Sequence, residues 1–203
     1  MTISAYERAQ RVGQAAVRTA ILDAATRLLV AEGVGSLTVR RIAAEVGCST
    51  KVIYTMFGGK EGLMEALWLE GFARFGRRLE AVPANPDPIA YLEDLALAYR
   101  EYALAEPDYY RVMFQRVVPG FEPGGEAVEF AKRTLGYAVR GVAAAMAAGR
   151  IAEGDPAEVA DVVWMALHGA VSLELARMLE PEEAADRFRR LIATLVDGLR
   201  PGR

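Results

Sequence analysis

Residues 38–61 read TVRRIAAEVGCSTKVIYTMFGGKE, and this stretch decides the fold. Thr38 is a helix-capping residue; Ile42, Ala43 and Val46 follow at helical spacing, and Gly47 closes the run. Ser49 then opens a second short helix through Val52, Ile53 and Met56, which Gly58-Gly59 ends. Gly47 takes a positive φ at little cost, so the backbone can turn sharply between the two. Two short helices joined this way have helix-turn-helix spacing, in which the second helix enters a major groove. Ile42, Ala43, Val46, Ile53 and Phe57 are expected to pack inward. Arg40, Arg41, Ser49, Thr50, Lys51, Tyr54, Thr55 and Lys60 are the candidate DNA contacts. The second helix carries no acid, and Arg40, Arg41, Lys51 and Lys60 supply positive charge around it.

Upstream, Val17, Ile21, Ala24, Ala25, Leu28 and Leu29 form one stripe, which predicts a helix over 16–32 ended by Gly33. Residues 1–15 read as a flexible tail. Downstream, a long helix is predicted over 60–80. All nine prolines lie after residue 82 and punctuate the rest into helices over 88–105, 107–115, 125–150, 156–180 and 181–199. No alternating stretch bounded by turn residues reads as a strand. The chain is therefore expected to be all-α, with about nine helices. A helix-turn-helix DNA-binding domain over 16–61 would precede an effector-binding and dimerisation domain over 62–203.

Composition sets the bounds. The chain has 203 residues, 53% apolar and 25% charged, enough to build a core. The longest suggestive apolar run, 162–173, contains His168 and falls short of the roughly 20 residues of a membrane span. No secretory signal is visible at the N-terminus. A soluble, cytoplasmic protein with no membrane partner is expected. Cys48 is the only cysteine and His168 the only histidine, so neither an internal disulfide nor a His/Cys zinc site can form. No metal and no cofactor is expected. Residues 1–60 carry a net charge of +4 and residues 61–203 a net charge of −7, so one end of the chain suits a polyanion.

At residues 38–61 the chain resembles the tetracycline-repressor (TetR) family of bacterial transcriptional regulators. Thr38-Val39, Ile42-Ala43, Gly47, Ser49, Ile53-Tyr54, Phe57, Lys60-Glu61 and Leu63 carry the resemblance. Cys48, Lys51 and Met56 depart from the common pattern, which bears on the base sequence read. Trp164, His168 and Gly169 in VVWMALHGAVSLEL resemble the subfamily whose effector domain is named for a Trp, a His and a Gly. The resemblance implies an all-α dimer that binds a palindromic operator on double-stranded DNA as a repressor and releases it when a small molecule binds the larger domain. It also implies that Thr38, Arg40, Ser49, Thr50, Lys51, Tyr54, Thr55 and Lys60 are DNA contacts.

Two helices bear on assembly. Apolar residues cover nearly every face of 159–176, which predicts burial against both its own chain and a partner subunit. The 181–199 helix has a single stripe. Val171, Leu175, Phe188, Leu191, Ile192, Leu195 and Leu199 are the expected homodimer interface. Trp164 and His168 lie one turn apart and share a face. They anchor a candidate effector pocket, with Tyr99, Tyr102, Met113 and Phe114 as walls and Trp68 and Phe72 reaching in from the 60–80 helix. That lining suits an apolar or aromatic molecule. The rival reading of His168 is a hydrogen-bonded core residue, and that of Cys48 a small buried hydrophobe.

An enzyme is not expected. Asp161 lies two turns from His168, roughly 10 Å along the axis, too far to orient it as a triad would require. Gly59-Lys60 is no phosphate-binding loop, because Glu61 stands where Ser or Thr is needed. The remaining rival keeps the fold and binds small molecules without binding DNA specifically; an acid on the second helix or a deletion in 38–61 would mark it, and there is neither.

Overall fold

The computed structural model describes residues 4–202. Among them are nine α-helices, one 3₁₀ turn (Val34–Ser36) and no strand. The helices are α1 (Ala5–Glu32), α2 (Val39–Val46), α3 (Thr50–Phe57), α4 (Lys60–Glu80), α5 (Pro88–Ala105), α6 (Pro107–Phe114), α7 (Gly125–Ala147), α8 (Pro156–Leu175) and α9 (Pro181–Gly198). The all-α expectation holds.

Three helix ends differ from the sequence reading. Helix α1 begins at Ala5 and not at residue 16. Ser4 Oγ accepts from the Glu7 amide at 3.1 Å, and the Glu7 carboxylate accepts from the Ser4 amide at 2.8 Å. This capping box satisfies two otherwise orphaned donors and lets the helix start before its apolar stripe does. Helix α8 ends at Leu175 and not at residue 180, because Arg177 is left-handed (φ 56°) and the Met178 amide turns back to the Leu173 carbonyl at 3.0 Å. Helix α7 ends at Ala147, where Gly149 (φ 66°) allows the Arg150 amide to reach the Ala145 carbonyl at 2.9 Å.

Packing sorts the chain into two compact units. One holds the chain up to Gly71 together with Asp108–Ala127; the other holds Phe72–Pro107 and the chain from Val128. This grouping differs from a division at 61/62, and the reason is where apolar side chains go. Val112 of α6 is buried in the core built by α1–α4, and Val117, Val118 and Phe121 pack against it. Tyr109 Oη also donates to Asp23 Oδ1 of α1 at 2.8 Å.

In the first unit α1 packs on α2 and α2 on α3. Ile21, Leu22, Leu37, Ile42, Ile53 and Leu67 are fully buried at its centre. In the second unit α5, α8 and α9 pack together. Arg100 of α5 makes a two-pronged ion pair with Glu174 of α8, at 2.8 and 2.6 Å, and its guanidinium lies over the Phe188 ring of α9. A smaller core joins Ile89, Ala145 and Ile151 with Leu92, Met146, Val196 and Leu199.

Helix α8 is not buried all round within the chain. Val171 and Leu167 point inward, whereas Val162, Met165 and Leu173 are 50%, 56% and 45% exposed.

The junction between α3 and α4 demands a glycine that the sequence reading passed over. A Cβ on Gly62 would overlap the Phe57 carbonyl oxygen, which is backbone and cannot step aside. Gly62→Ala should therefore destabilise the fold by about 3 kcal/mol, the upper range for overpacking. Gly13→Ala, in an exposed turn of α1 with open space around it, should instead stabilise by up to about 1 kcal/mol through helix propensity. Urea unfolding of both variants beside the parent checks the contrast in sign.

Candidate nucleic-acid interface and effector region

Thr38 Oγ1 caps α2 by accepting from the Arg41 amide at 3.2 Å. At the other end Gly47 is left-handed (φ 72°), and the Cys48 amide folds back to the Ala43 carbonyl at 2.9 Å. The turn between α2 and α3 thus uses Gly47 as the sequence predicted. Ser49 stands at the N-cap of α3 in extended conformation, but its side chain makes no capping hydrogen bond. The sequence offers Ser49 as a cap for α3, but its hydroxyl stays on the exposed side of the turn. Gly58 (φ 73°) ends α3, and Lys60 opens α4 two residues later.

Ile42, Ala43, Ile53 and Phe57 are buried and Val46 is half-buried, as their spacing predicted. Thr38, Arg40, Arg41, Ser49, Thr50, Lys51, Tyr54, Thr55 and Lys60 are all exposed. The nine candidate contacts therefore stand on the solvent side of one compact unit. Their charges are not equivalent. Arg41 is held by Glu32 at 3.1 Å. Arg40, Lys51 and Lys60 make no ion pair among the described residues. Lys60 sits in the first turn of α4, where helix N–H groups also favour an anion. Tyr54 presents more than half its surface to solvent. Cys48 is half-buried and packs against the core of this unit as a small hydrophobe.

The residues of the expected effector pocket divide between the two units. Trp68, Met113 and Phe114 belong to the first. There Trp68 Nε1 donates to the Met113 carbonyl at 3.3 Å, and Tyr110 and Phe114 pack ring on ring at 5.0 Å. Phe72, Tyr99, Tyr102, Trp164 and His168 belong to the second. Tyr99 Oη and His168 Nδ1 are 3.0 Å apart, and the Trp164 and His168 rings are 5.3 Å apart. Phe75 joins them, edge-on to Tyr99 at 5.5 Å and tilted against Tyr102 at 5.1 Å. The sequence reading missed Phe75, although its place three residues after Phe72 on α4 was a signal for it.

The expected dimer stripe is divided as well. Val171, Phe188 and Ile192 are buried within the chain itself, by the packing of α5, α8 and α9. They cannot meet a partner without opening that core. Leu175, Leu191, Leu195 and Leu199 remain half-buried.

Among the described residues no group of His, Cys, Asp or Glu is arranged to hold a metal ion, and no helix is long and apolar enough to cross a membrane.

An exposed, partly unpaired set of cations on a two-helix turn, seated on a helical core, defines a helix-turn-helix DNA-binding regulator. Residues 21–67 match the model of the tetR family of bacterial regulatory proteins, and residues 92–195 match the tetracyclin repressor-like C-terminal domain. The chain belongs to the TetR family and is a DNA-binding transcriptional regulator. It is 26% identical, over 90% of its length and 81% of the relative's, to the uncharacterised HTH-type transcriptional regulator Rv0681 of Mycobacterium tuberculosis. Among solved structures it is similar to a Rhodococcus sp. RHA1 protein of unknown function: TM-score 0.79, 29% identity, 91% of this chain and 96% of that one. The fold is shared with the TetR family transcriptional regulator PfmR of Thermus thermophilus: TM-score 0.72, 20% identity, 89% and 99% covered. The finer Trp-His-Gly resemblance rests on Trp164, His168 and Gly169 of α8.

The His168 environment has a pH signature. Burial pushes its imidazole below the usual range near 6.5. The unfolded chain then binds the proton more readily than the folded one, so stability falls as pH drops through and below about 6.5. Urea midpoints should decline between pH 7.5 and 5.5, and His168→Gln should flatten that decline.

Proposed function

We propose that this regulator is a homodimeric repressor, working in the cytoplasm, that leaves a palindromic operator when a small apolar or aromatic molecule binds its second unit. The observation that carries the DNA half of this reading is the exposure of Arg40, Lys51 and Lys60 without ion-pair partners. A surface cation with no ion-pair partner gives up no contact to meet a phosphate, and it releases a counterion directly. Arg41, already paired with Glu32, would have to exchange one carboxylate for a phosphate. Lys60 and the α2 and α3 caps position the module on the backbone. Thr50, Lys51, Tyr54 and Thr55 meet base edges in the groove.

The effector half rests on the Tyr99–His168–Trp164 contacts. A half-buried imidazole and a half-buried indole on neighbouring turns of α8, flanked by Phe75 and Tyr102, form a mostly apolar wall with few polar anchors. Helix α4 is the lever, because one unbroken helix carries Lys60 at its start and Phe72 and Phe75 further on. The effector must bind the form that cannot hold the operator more tightly than the form that can, or it shifts nothing.

The dimer half rests on α8. Val162, Met165, Gly169 and Leu173 recur at helical spacing and line one exposed stripe. A Cβ added at Gly169 would meet nothing within the chain. A partner helix can approach closely at such a notch. Leu191 and Leu195 of α9 complete the face.

Two measurements test this. In gel shifts against fragments of the source genome across a salt series, Lys60→Ala should weaken binding to all sequences and lower the log–log salt slope by about 0.9, the value for one phosphate contact. Thr50 or Lys51 substitutions should instead change which fragments are retained. A salt-independent protein that retains no fragment would be a small-molecule binder on the same fold. In sedimentation at micromolar concentration the parent should run as a dimer and Met165→Glu as a monomer, since the charge enters an apolar seam. A monomeric parent rules the dimer out.

A further inference from the structure

The α4–α5 loop and α7 enclose an open groove of about 400 Å³. It lies within the second unit and shares no lining residue with the Trp164, His168 and Tyr99 contacts. Its floor is one face of α7, with Gly141 and Ala144 a turn apart and Ala148 following just past the helix end. Its walls are Pro86, Pro88 and Tyr91, and its polar groups come from Asn85 and Arg140. The volume is that of a small-molecule site.

The groove is held in shape from several sides. The two prolines fix φ in the loop. Asn85 Oδ1 accepts from the Asp87 amide at 3.0 Å, and Asp87 Oδ1 accepts from the Ile89 amide at 2.9 Å. Arg150, just past α7, pairs with Asp87 at 3.3 Å and ties the loop to the α7 end. Gly141 lets α7 come close to α5, since a Cβ there would stand 2.7 Å from Leu92 Cδ2. Val142 and Ala145, on the adjoining face of α7, are buried, so the floor does not move freely.

Its charge is unbalanced. Arg140 is the only charged residue of the lining. Among the described residues it makes no hydrogen bond or ion pair, and its guanidinium is held 4.8 Å from the centre of the Tyr137 ring. The nearest acid in the loop, Asp87, is already engaged by Arg150 and by the start of α5. A planar guanidinium steadied on a ring presents a fork that matches a carboxylate. The floor of small residues opposite Tyr91 and the prolines leaves room for an apolar body in the same groove that Arg140 lines.

We propose that this groove is a second ligand site, which binds a small organic carboxylate with a flat apolar body. The body lies between Tyr91 and the Gly141, Ala144 and Ala148 face, and Arg140 takes the carboxylate. A single cation selects a monoanion over a phosphate dianion, which would need more positive charge.

The test uses the full chain and a matched pair of probes, 1-naphthoate and the uncharged 1-naphthamide, followed by saturation-transfer NMR and titration. Arg140 and Ala144 are exposed, so substitutions there leave the core intact, which circular dichroism verifies. Naphthoate should bind at least about tenfold more tightly than naphthamide, the margin of a charge-assisted pair. Arg140→Gln should erase that difference, and Ala144→Leu, which fills the floor, should weaken both probes. His168→Ala should change neither, which separates this site from the effector region proposed above. Equal affinity for the two probes, no naphthoate binding at about 5 mM, or binding that survives Arg140→Gln and Ala144→Leu but is lost in His168→Ala would each overturn the proposal.

Discussion

Helices α2 and α3 have eight residues each, and helices so short do not persist in water, because nucleation outweighs the few bonds that follow it. They exist here because Ile42 and Ile53 are drawn fully into a core that α1 and α4 supply through Ile21, Leu22 and Leu67. Burying one face of a helix dictates the opposite face. Once Ile53 and Phe57 point inward, Lys51, Tyr54 and Thr55 point outward, and the exposed face of α3 follows from the packing behind it. Gly47 and Gly62 serve the same constraint. The first turns the chain, and the second lets α4 cross the end of α3 without meeting its backbone.

The second unit solves a different problem, that of placing polar groups among apolar ones. The Arg100–Glu174 pair is mostly shielded from solvent, at 16% and 11% exposure, and fully bidentate. Such a pair gives specificity more than stability, since losing either member would strand a charge. Tyr99 and His168 satisfy each other in the same way. Both contacts join α5 to α8, so α8 has one face locked to its own chain and a second, apolar face left outward.

The exposed apolar residues of α8 fall where periodicity alone did not place them. A helix apolar on every side was expected to divide its surface between its own core and a partner. The side that remains open holds Val162, Met165 and Leu173, whereas Val171, Phe188 and Ile192 are consumed inside the chain. Periodicity identifies a stripe but not which neighbour covers it. The same limit explains Phe75, which joins Tyr99 and Tyr102 across 24 or more positions of chain, and the early start of α1, where a local cap outweighs the absence of a buried face.

By itself the sequence determined what local chemistry can determine. The all-α class came from apolar spacing and proline placement. The turn at Gly47, the inward set Ile42, Ala43, Ile53 and Phe57, and the outward cations Arg40, Lys51 and Lys60 came from one stretch of 24 residues. These are properties of neighbours within a few turns, so residue order suffices. Only tertiary structure decided that α6 and the loop after it complete the first unit's core, that among the described residues Arg41 is engaged by Glu32 while Arg40 has no ion-pair partner, and that Arg140, held on the Tyr137 ring, lines a groove built from residues 85–91 and 140–148. Each depends on which distant side chains reach one another, and that is set by how the helices pack.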